Sequence, residues 1–238
     1  MSLRRRLLRK LLSPVARFSY RYGFGRDGAF WRTLARWAAR WEELSGRADT
    51  PQSAVAWEEE YRAGRWDFLA DLDETARFGT IAGYLKRLEL DGPVLDIGCG
   101  EGLLTRFFEP SAARPYLGID VAEAALARAP ELPHAQFLHA DAETFTPPSA
   151  PAAVVMNESL YYFREPIAGA ERYASFLAPG GLLIISMFGS PRTAAILRAL
   201  GARFPVADRV TISGRRGSWT VTVLRAPGAA PPTPPRRG

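Results

Sequence analysis

One glycine-rich stretch constrains the fold of this chain more than any other part of the sequence. An apolar run from Pro93 to Ile97 is followed by glycines at alternate positions, Gly98, Gly100 and Gly102, and then by a helical pattern. This order predicts a buried strand, a tight turn and a helix, because glycine reaches positive φ without a Cβ penalty and lets a ligand approach the backbone. The start of such a helix also presents unpaired N–H groups. The stretch therefore predicts a site for a nucleotide-type cofactor.

The spacing of these glycines narrows the choice of cofactor. The turn lacks the Lys-Ser/Thr ending of a phosphate-binding P-loop, and it differs from the dinucleotide pattern Gly-x-Gly-x-x-Gly. With Asp96 before it, Asp-x-Gly-x-Gly-x-Gly resembles the first motif of the class I S-adenosylmethionine (SAM) dependent methyltransferases. Three later stretches resemble the next motifs of that family in the same order: Tyr116 to Asp120, Phe137 to Glu143, and Ala152 to Glu158. The resemblance covers roughly residues 80–225.

The resemblance implies SAM as the cofactor and assigns residues to it. In the family, an acid at the end of the second strand accepts hydrogen bonds from both ribose hydroxyls, a role that falls to Asp120, and an acid after the third strand contacts the adenine amine, a role that falls to Asp141. Asp96 is expected to orient the glycine turn and the methionine part of the cofactor. The full set of expected cofactor-binding residues is Asp96, Gly98, Cys99, Gly100, Gly102, Asp120, Val121, Asp141, Ala142 and Asn157.

The candidates for catalysis are Glu158, Tyr161 and His139. Glu158 and Tyr161 follow the fourth strand, and strand ends face the ligand crevice in open α/β sheets. Glu158 is a candidate base or substrate-binding residue, and the alternative for Tyr161 and its neighbour Tyr162 is packing. His139 is either a base or an ordinary interior or surface histidine. A base is needed only if the methyl acceptor must lose a proton.

The residues after the fourth strand also bear on the methyl acceptor. The run from Asn157 to Leu160 lacks the Asn/Asp-Pro-Pro-Tyr pattern of methyltransferases that act on nucleobases and glutamine amides, and Glu158 to Tyr162 resembles small-molecule methyltransferases, including nodulation-type enzymes that N-methylate an aminosugar. We therefore expect O- or N-methylation of a small molecule such as a sugar or related metabolite. The alternatives are a lipid-linked glycan or macromolecule as acceptor, and a SAM-binding partner subunit without turnover. No cluster with metal-ligand spacing is present in the sequence, so no metal is expected.

The order of elements predicts an α/β fold: a Rossmann-like, doubly wound seven-stranded sheet with a terminal antiparallel strand, three αβα layers and a helical N-terminal extension. Two β-branched runs, Val206 to Ile212 and Trp219 to Leu224, predict a hairpin. Crossover helices are expected at 103–109 and 121–129. The expected divisions are a basic arm (1–28), a helical extension or lid (29–79) with Tyr61, Arg65 and Trp66 as lid candidates, a SAM-binding domain (80–225) and a disordered Pro-rich tail (226–238).

Charge is concentrated at the N-terminus. Residues 1–47 hold twelve Lys and Arg against three Asp and Glu, in a chain whose net charge is +6. Leucines alternate with these charged residues near helical spacing, which predicts a helix. This helix is expected either to be solvated, to pack against the protein, or to lie on an anionic membrane surface. Nucleic acid is disfavoured because no reading motif accompanies the charge. No apolar run approaches the ~20 residues of a membrane span, and the lone Cys99 indicates a reducing compartment, the cytoplasm. A monomer and a homodimer both remain open.

Overall fold

The computed structural model describes residues 53–88 and 90–226 of the 238-residue chain. At its centre is a seven-stranded sheet in the order β3-β2-β1-β4-β5-β7-β6. Five strands are parallel, and β7 runs antiparallel to both of its neighbours, β5 and β6. The strands are β1 (Val94–Ile97), β2 (Tyr116–Asp120), β3 (Ala135–His139), β4 (Ala153–Asn157), β5 (Leu182–Phe188), β6 (Val206–Gly214) and β7 (Gly217–Arg225). The predicted doubly wound fold and its terminal hairpin are confirmed.

Helices cover both faces of the sheet. The α-helices are α1 (Ala54–Arg62), α2 (Leu72–Lys86), α3 (Glu123–Leu126), α4 (Pro166–Ser175) and α5 (Pro191–Arg203), and the 3-10 helices are Asp67–Ala70, Leu103–Arg106 and Leu160–Tyr162. Helix α2 packs with the first face of the sheet, in a core that includes Val155 and Ile184. Helices α4 and α5 pack with the second face, in a core that includes Met156 and Ile185. Consecutive residues of a strand thus enter opposite cores, as strand geometry requires.

The central strands are apolar because both of their faces are covered. All residues of β1 are buried, and so are Leu183 to Met187 of β5. Continuous apolar runs of this kind are typical of parallel strands between two helical layers. The exception inside β5 is Ser186, which is fully buried although it is polar. Its hydroxyl lies on the face that α2 covers, next to the carboxyl end of β4.

Two helices are shorter than the sequence predicts. The crossover helix expected at 103–109 is a 3-10 turn, Leu103–Arg106, and the one expected at 121–129 is α3, Glu123–Leu126. Few residues separate these elements from the next proline, and a short helix gains too few hydrogen bonds to offset the cost of its first turn. The expected division at 79–80 falls inside α2, whose residues Phe78, Ile81 and Leu85 belong to the core on the first face of the sheet.

Several expectations fall outside the described residues. The basic arm, the part of the extension before Ser53 and the tail after Ala226 belong to this group. Within residues 53–88 and 90–226, no helix is long and apolar enough to cross a membrane. The same part of the chain contains no group of His, Cys, Asp and Glu side chains that would hold a metal ion.

Candidate active site

The glycine turn follows β1 directly and is anchored to β2. Gly98, Gly100 and Gly102 have φ of 71°, 55° and 68°, the left-handed region that other residues rarely adopt. The backbone N–H groups of Gly98 and Cys99 both donate to the Ile119 carbonyl, at 2.8 and 3.0 Å. A Cβ on Gly98 would lie 2.7 Å from the Cβ of Ser159, so the turn also touches the segment after β4. The tight turn that the sequence predicts is present, and only glycine fits its three left-handed positions.

The carboxylate of Asp120 stabilises this turn from the end of β2. One oxygen accepts from the Gly100 N–H at 2.8 Å and the other from the Ala122 N–H at 2.9 Å. Burial raises the pKa of Asp120, and these backbone hydrogen bonds oppose the shift. A carboxylate has about four lone-pair sites, so two remain for a ligand. A pair of vicinal hydroxyls matches what is left.

Asp96 is a buried acid with an incomplete set of partners. The Tyr116 hydroxyl donates to its Oδ2 at 2.6 Å, whereas Oδ1 is buried and has no partner among the described residues. The pKa of Asp96 is raised to about 7, chiefly by burial; the Tyr116 hydrogen bond opposes this rise and the nearby Asp120 adds to it. An orphaned buried oxygen costs free energy. Its position beside the glycine turn suits a cationic ligand group.

The raised pKa of Asp96 predicts a pH dependence of stability. The unfolded chain releases this proton near the ordinary pKa of about 4, whereas the folded chain holds it until about pH 7. The stabilising contribution is therefore complete below pH 4 and is lost as the pH rises to 7. We expect Asp96→Asn, which stays neutral, to gain on the wild type by up to about 4 kcal/mol across that range. Urea unfolding at pH 4 to 8 measures the difference, and a constant gap would contradict the assignment.

Three further residues predicted to bind the cofactor, Cys99, Asp141 and Ala142, lie in the glycine turn and after β3. Cys99 packs against Gly118, whose added Cβ would lie 2.8 Å from Sγ, and burial raises the pKa of its thiol, which disfavours a nucleophilic role. The Asp141 Oδ1 accepts from the Glu143 N–H at 2.8 Å and closes a turn after β3. The Ala142 carbonyl accepts from the Tyr173 hydroxyl at 2.9 Å. Asp141 is exposed at the sheet edge and open to a ligand.

His139 is not brought together with the other catalytic candidates. It ends β3, where its Nε2 donates to the Val121 carbonyl at 3.1 Å and its Nδ1 lies 3.1 Å from Glu123. Glu158 follows β4, which is separated from β3 by β2 and β1. Strands lie about 4.8 Å apart, so roughly 14 Å separates the two ends. The structure thus places His139 with the cofactor end of the crevice and away from Glu158.

Glu158 lies at the centre of hydrogen bonds at the end of β4. Its Oε1 accepts from the Ser186 hydroxyl at 2.7 Å, and its Oε2 accepts from the Phe188 N–H at 2.9 Å and the Tyr161 hydroxyl at 3.1 Å. Burial raises the pKa of Glu158, while the nearby Arg77 and the hydrogen bonds lower it. Its φ is 61°, a strained value for a residue with a Cβ. Ser159 follows at once and donates to the Ile97 carbonyl at 2.5 Å, which ties Glu158 to the glycine turn.

Sequence reasoning missed two charged residues behind this site. Glu74 and Arg77 of α2 are each 2% exposed and form an ion pair of 2.7 Å. Arg77 also donates to Oδ1 of Asn157, and its guanidinium lies 4.7 Å over the Phe78 ring. A signal was present in the sequence, since residues 74 and 77 fall on the same helical stripe as the apolar residues 78, 81 and 85.

Comparison with known proteins decides the family. A family profile described as "Methyltransferase domain" matches residues 59–219, more than half of the chain. The chain belongs to the methyltransferase domain family. The resemblance to class I SAM-dependent methyltransferases is thereby confirmed, and the glycine turn, Asp96 and Asp120 all lie within the matched residues.

Similar proteins differ in what they act on. The trans-aconitate 2-methyltransferase of Methylobacterium radiotolerans is 34% identical over 175 residues, which cover 66% of this chain and 65% of that protein. This chain therefore spans less than two thirds of that relative. The solved N-methyltransferase NodS from Bradyrhizobium japonicum has a TM-score of 0.56 at 21% identity, covering 68% of this chain and 91% of that one. The [4+2]-cyclase SpnF has a TM-score of 0.57 at 18% identity, covering 74% and 97%. Both structures share the fold.

The methyltransferase site fits SAM, the cofactor of its family. Asp120 retains two lone-pair sites at the end of β2, and the buried Oδ1 of Asp96 lacks a partner beside the turn. The left-handed glycines carry no Cβ, so a ligand can approach the Gly100 backbone closely once Tyr61, which covers it, moves aside. Asp120 would hold the ribose hydroxyls, Asp96 the methionine end and Asp141 the adenine. When bound, SAM supplies an electrophilic methyl group.

The segment around α1 covers the glycine turn. Tyr61 is 7% exposed, and its hydroxyl would lie 2.6 Å from a Cβ on Gly100. Trp57 makes an edge-on contact with Tyr162 at 4.7 Å between ring centroids. Of the predicted lid residues, Tyr61 thus faces the turn, whereas Arg65 and Trp66 bind Glu60, at 3.2 and 3.1 Å. A ligand that approaches the Gly100 backbone requires this segment to shift.

Arg128 fastens the covering segment in place. Its Nη2 donates to the Tyr61 carbonyl at 2.9 Å, and its Nη1 contacts Asp67 and Glu101, each at 2.9 Å. We expect Arg128→Ala to release S-adenosylhomocysteine (SAH) several-fold faster, because three contacts that close the segment are lost while little buried area changes. Stopped-flow measurement of the change in tryptophan fluorescence, to which Trp57 and Trp66 of the covering segment contribute, gives the rate.

A matched control is available on another surface. Arg203→Ala removes an ion pair of similar exposure, with Glu171 at 2.7 Å, that does not touch the covering segment. It is expected to leave the rate of SAH release unchanged. Equal rates for Arg128→Ala and the wild type would contradict the fastening role of Arg128.

Proposed function

We propose that this chain transfers a methyl group from SAM to an oxygen or nitrogen of a small molecule, such as a sugar or related metabolite. One observation carries the proposal: Ser159, the residue after Glu158, contacts Gly98 and donates to the Ile97 carbonyl. Ser159 thereby places Glu158 next to the glycine turn. A cofactor held on the turn would therefore meet an acceptor held at the end of β4. The fold alone does not carry this conclusion, since a [4+2]-cyclase shares it.

The residues of the site suit an in-line displacement. Methyl transfer from a sulfonium is accelerated mainly by proximity and orientation, and the turn, Asp120 and the end of β4 supply fixed positions. Glu158 retains one of about four lone-pair sites after its three hydrogen bonds. That site accepts the proton of a hydroxyl or amine as it attacks. The raised pKa of Glu158 brings its basicity closer to that of a general base at neutral pH.

The acceptor is best sought without bias. Incubation of the protein with SAM carrying a ¹³C-labelled methyl group and an extract of small metabolites, followed by mass spectrometry, identifies any methylated product. Trans-aconitate and glucosamine serve as defined acceptors beside the extract, because relatives are named for the first and the sequence favours the second. Glu158→Gln is expected to lower turnover while SAH still binds. Calorimetric binding of SAH without any labelled product would contradict methyl transfer and favour a binding subunit.

A further inference from the structure

The contact between Arg77 and Asn157 fixes the orientation of an amide group. The two ends of an asparagine amide have nearly the same shape, and hydrogen-bond partners decide between them. Arg77 can only donate, so the atom that it meets must be Oδ1 of Asn157. The guanidinium itself is held by Glu74 at 2.7 Å and is 2% exposed. The amide is therefore oriented by a buried cation that an ion pair with Glu74 holds in place.

The opposite end of the amide is left with two donors. No described residue accepts a hydrogen bond from Nδ2 of Asn157. Asn157 is half-buried at the carboxyl end of β4, which is the side where an open parallel sheet binds its ligands. These N–H groups are therefore available to a ligand oxygen, and a hydrogen bond to a charged acceptor would stabilise the complex.

A hydrogen-bond acceptor of the protein, the Glu158 carboxylate, lies directly beside these N–H donors. Glu158 is the next residue, its left-handed φ of 61° turns its carboxylate toward Ser186 and Arg77, and one lone-pair site of that carboxylate remains. The end of β4 thus presents adjacent N–H donors and a carboxylate oxygen. This pattern matches a molecule with a lone-pair oxygen next to an O–H or N–H group.

We propose that Arg77 is a positioning residue, which holds the Asn157 amide so that its Nδ2 donates to an oxygen of the bound ligand beside Glu158. The oxygen is a carboxylate, carbonyl or hydroxyl oxygen, and it belongs either to the cofactor or to the methyl acceptor. The proposal rests on the proposed methyltransferase function. It adds a contact from Asn157 and assigns the orientation of that contact to a residue of α2.

The sequence makes this proposal unusually direct to test, because Asn157 is the only asparagine in the chain. Labelling with ¹⁵N-asparagine gives one side-chain NH2 pair in an NMR spectrum, so no assignment is needed. The probes are SAH alone, SAH with trans-aconitate, and SAH with glucosamine. We expect the NH2 pair to move downfield on hydrogen bonding to a ligand oxygen. A shift with SAH alone identifies a cofactor oxygen, and a shift only in a mixture identifies an acceptor oxygen.

Two variants separate positioning from stability. Arg77→Lys keeps the charge but cannot span Glu74 and Asn157, so we expect the ligand-induced shift to fall to less than half. Arg114→Lys is the control, since Arg114 is a partly buried arginine that binds the Leu85 and Leu88 carbonyls at the amino end of the sheet. Asn157→Asp keeps an oxygen for Arg77 but removes both donors, and it is expected to weaken binding of the shifting probe at least tenfold with folding retained.

The outcomes of these measurements are distinct. Calorimetric SAH binding with no shift of the NH2 pair for any probe would overturn the positioning role and leave the proposed function intact. The same holds if folded Asn157→Asp binds every probe like the wild type. No SAH binding by the folded wild-type protein would overturn both the positioning role and the proposed function.

Discussion

Replacing Asp120 with alanine is expected to weaken SAH binding about 10- to 100-fold, because a charged hydrogen-bond acceptor is worth about 1.5–3 kcal/mol. The carboxylate has two tasks in the site. We expect it to accept hydrogen bonds from the ribose hydroxyls, and it accepts from the Gly100 and Ala122 N–H groups at 2.8 and 2.9 Å. The alanine variant loses both, so the turn itself loosens. Isothermal titration calorimetry with SAH measures the affinity.

Asp208→Ala provides the matched control for this measurement. Asp208 is an exposed acid on β6 that accepts from the Tyr84 hydroxyl at 2.8 Å, far along the sheet order from β2. Its removal is expected to leave SAH affinity unchanged. Asp120→Asn should fall between the two, since it can still accept hydrogen bonds but carries no charge. A folded Asp120→Ala protein with wild-type affinity would refute the assignment of Asp120 to the ribose.

Gly102→Ala is expected to lower the free energy of unfolding by about 2–5 kcal/mol. Two costs add at this position. The left-handed φ of 68° costs a non-glycine residue about 1–2 kcal/mol, and the new Cβ would lie 2.4 Å from a ring atom of Phe137, an overpacking that costs about 1–3 kcal/mol. Urea unfolding with a two-state analysis measures the loss.

Gly180→Ala separates these two costs. Gly180 has a similar left-handed φ of 85°, but a Cβ added there would meet nothing within 4 Å. We expect this variant to lose only the backbone cost of about 1–2 kcal/mol. Equal losses for the two variants would show that the Phe137 contact relaxes freely and that backbone strain alone requires glycine at position 102.

Two kinds of stretch predict strands in this sequence, apolar runs and β-branched runs, both bounded by turn residues. The run from Leu182 to Met187 is of the first kind and the hairpin of β6 and β7 is of the second, and the structure confirms both. The short crossover elements were predicted too long. Their periodicity is that of a helix, but periodicity does not state where tertiary packing ends the helix.

The cofactor end of the site was also accessible from the sequence. A strand, a glycine turn and an acid follow each other over a short stretch of sequence, which contains Gly98, Gly100, Gly102 and Asp120. The parallel pairing of β1 with β2 brings these residues together. Tyr61 was a lid candidate from the sequence, whereas its contact with Arg128 was not accessible, since 67 residues separate these two partners. Contacts over that distance arise only when the chain has folded.

The sequence by itself determined the doubly wound fold, the glycine turn and the position of Asp120, because apolar periodicity and positive φ are local requirements. The tertiary structure alone decided which side chains of distant elements surround Asn157 and Glu158 at the end of β4. Arg77 and Asn157 are 80 positions apart, and only the packing of α2 on the sheet makes the guanidinium a partner of that amide. It likewise placed His139 apart from Glu158, because strand order, which no single stretch encodes, sets the distance between strand ends.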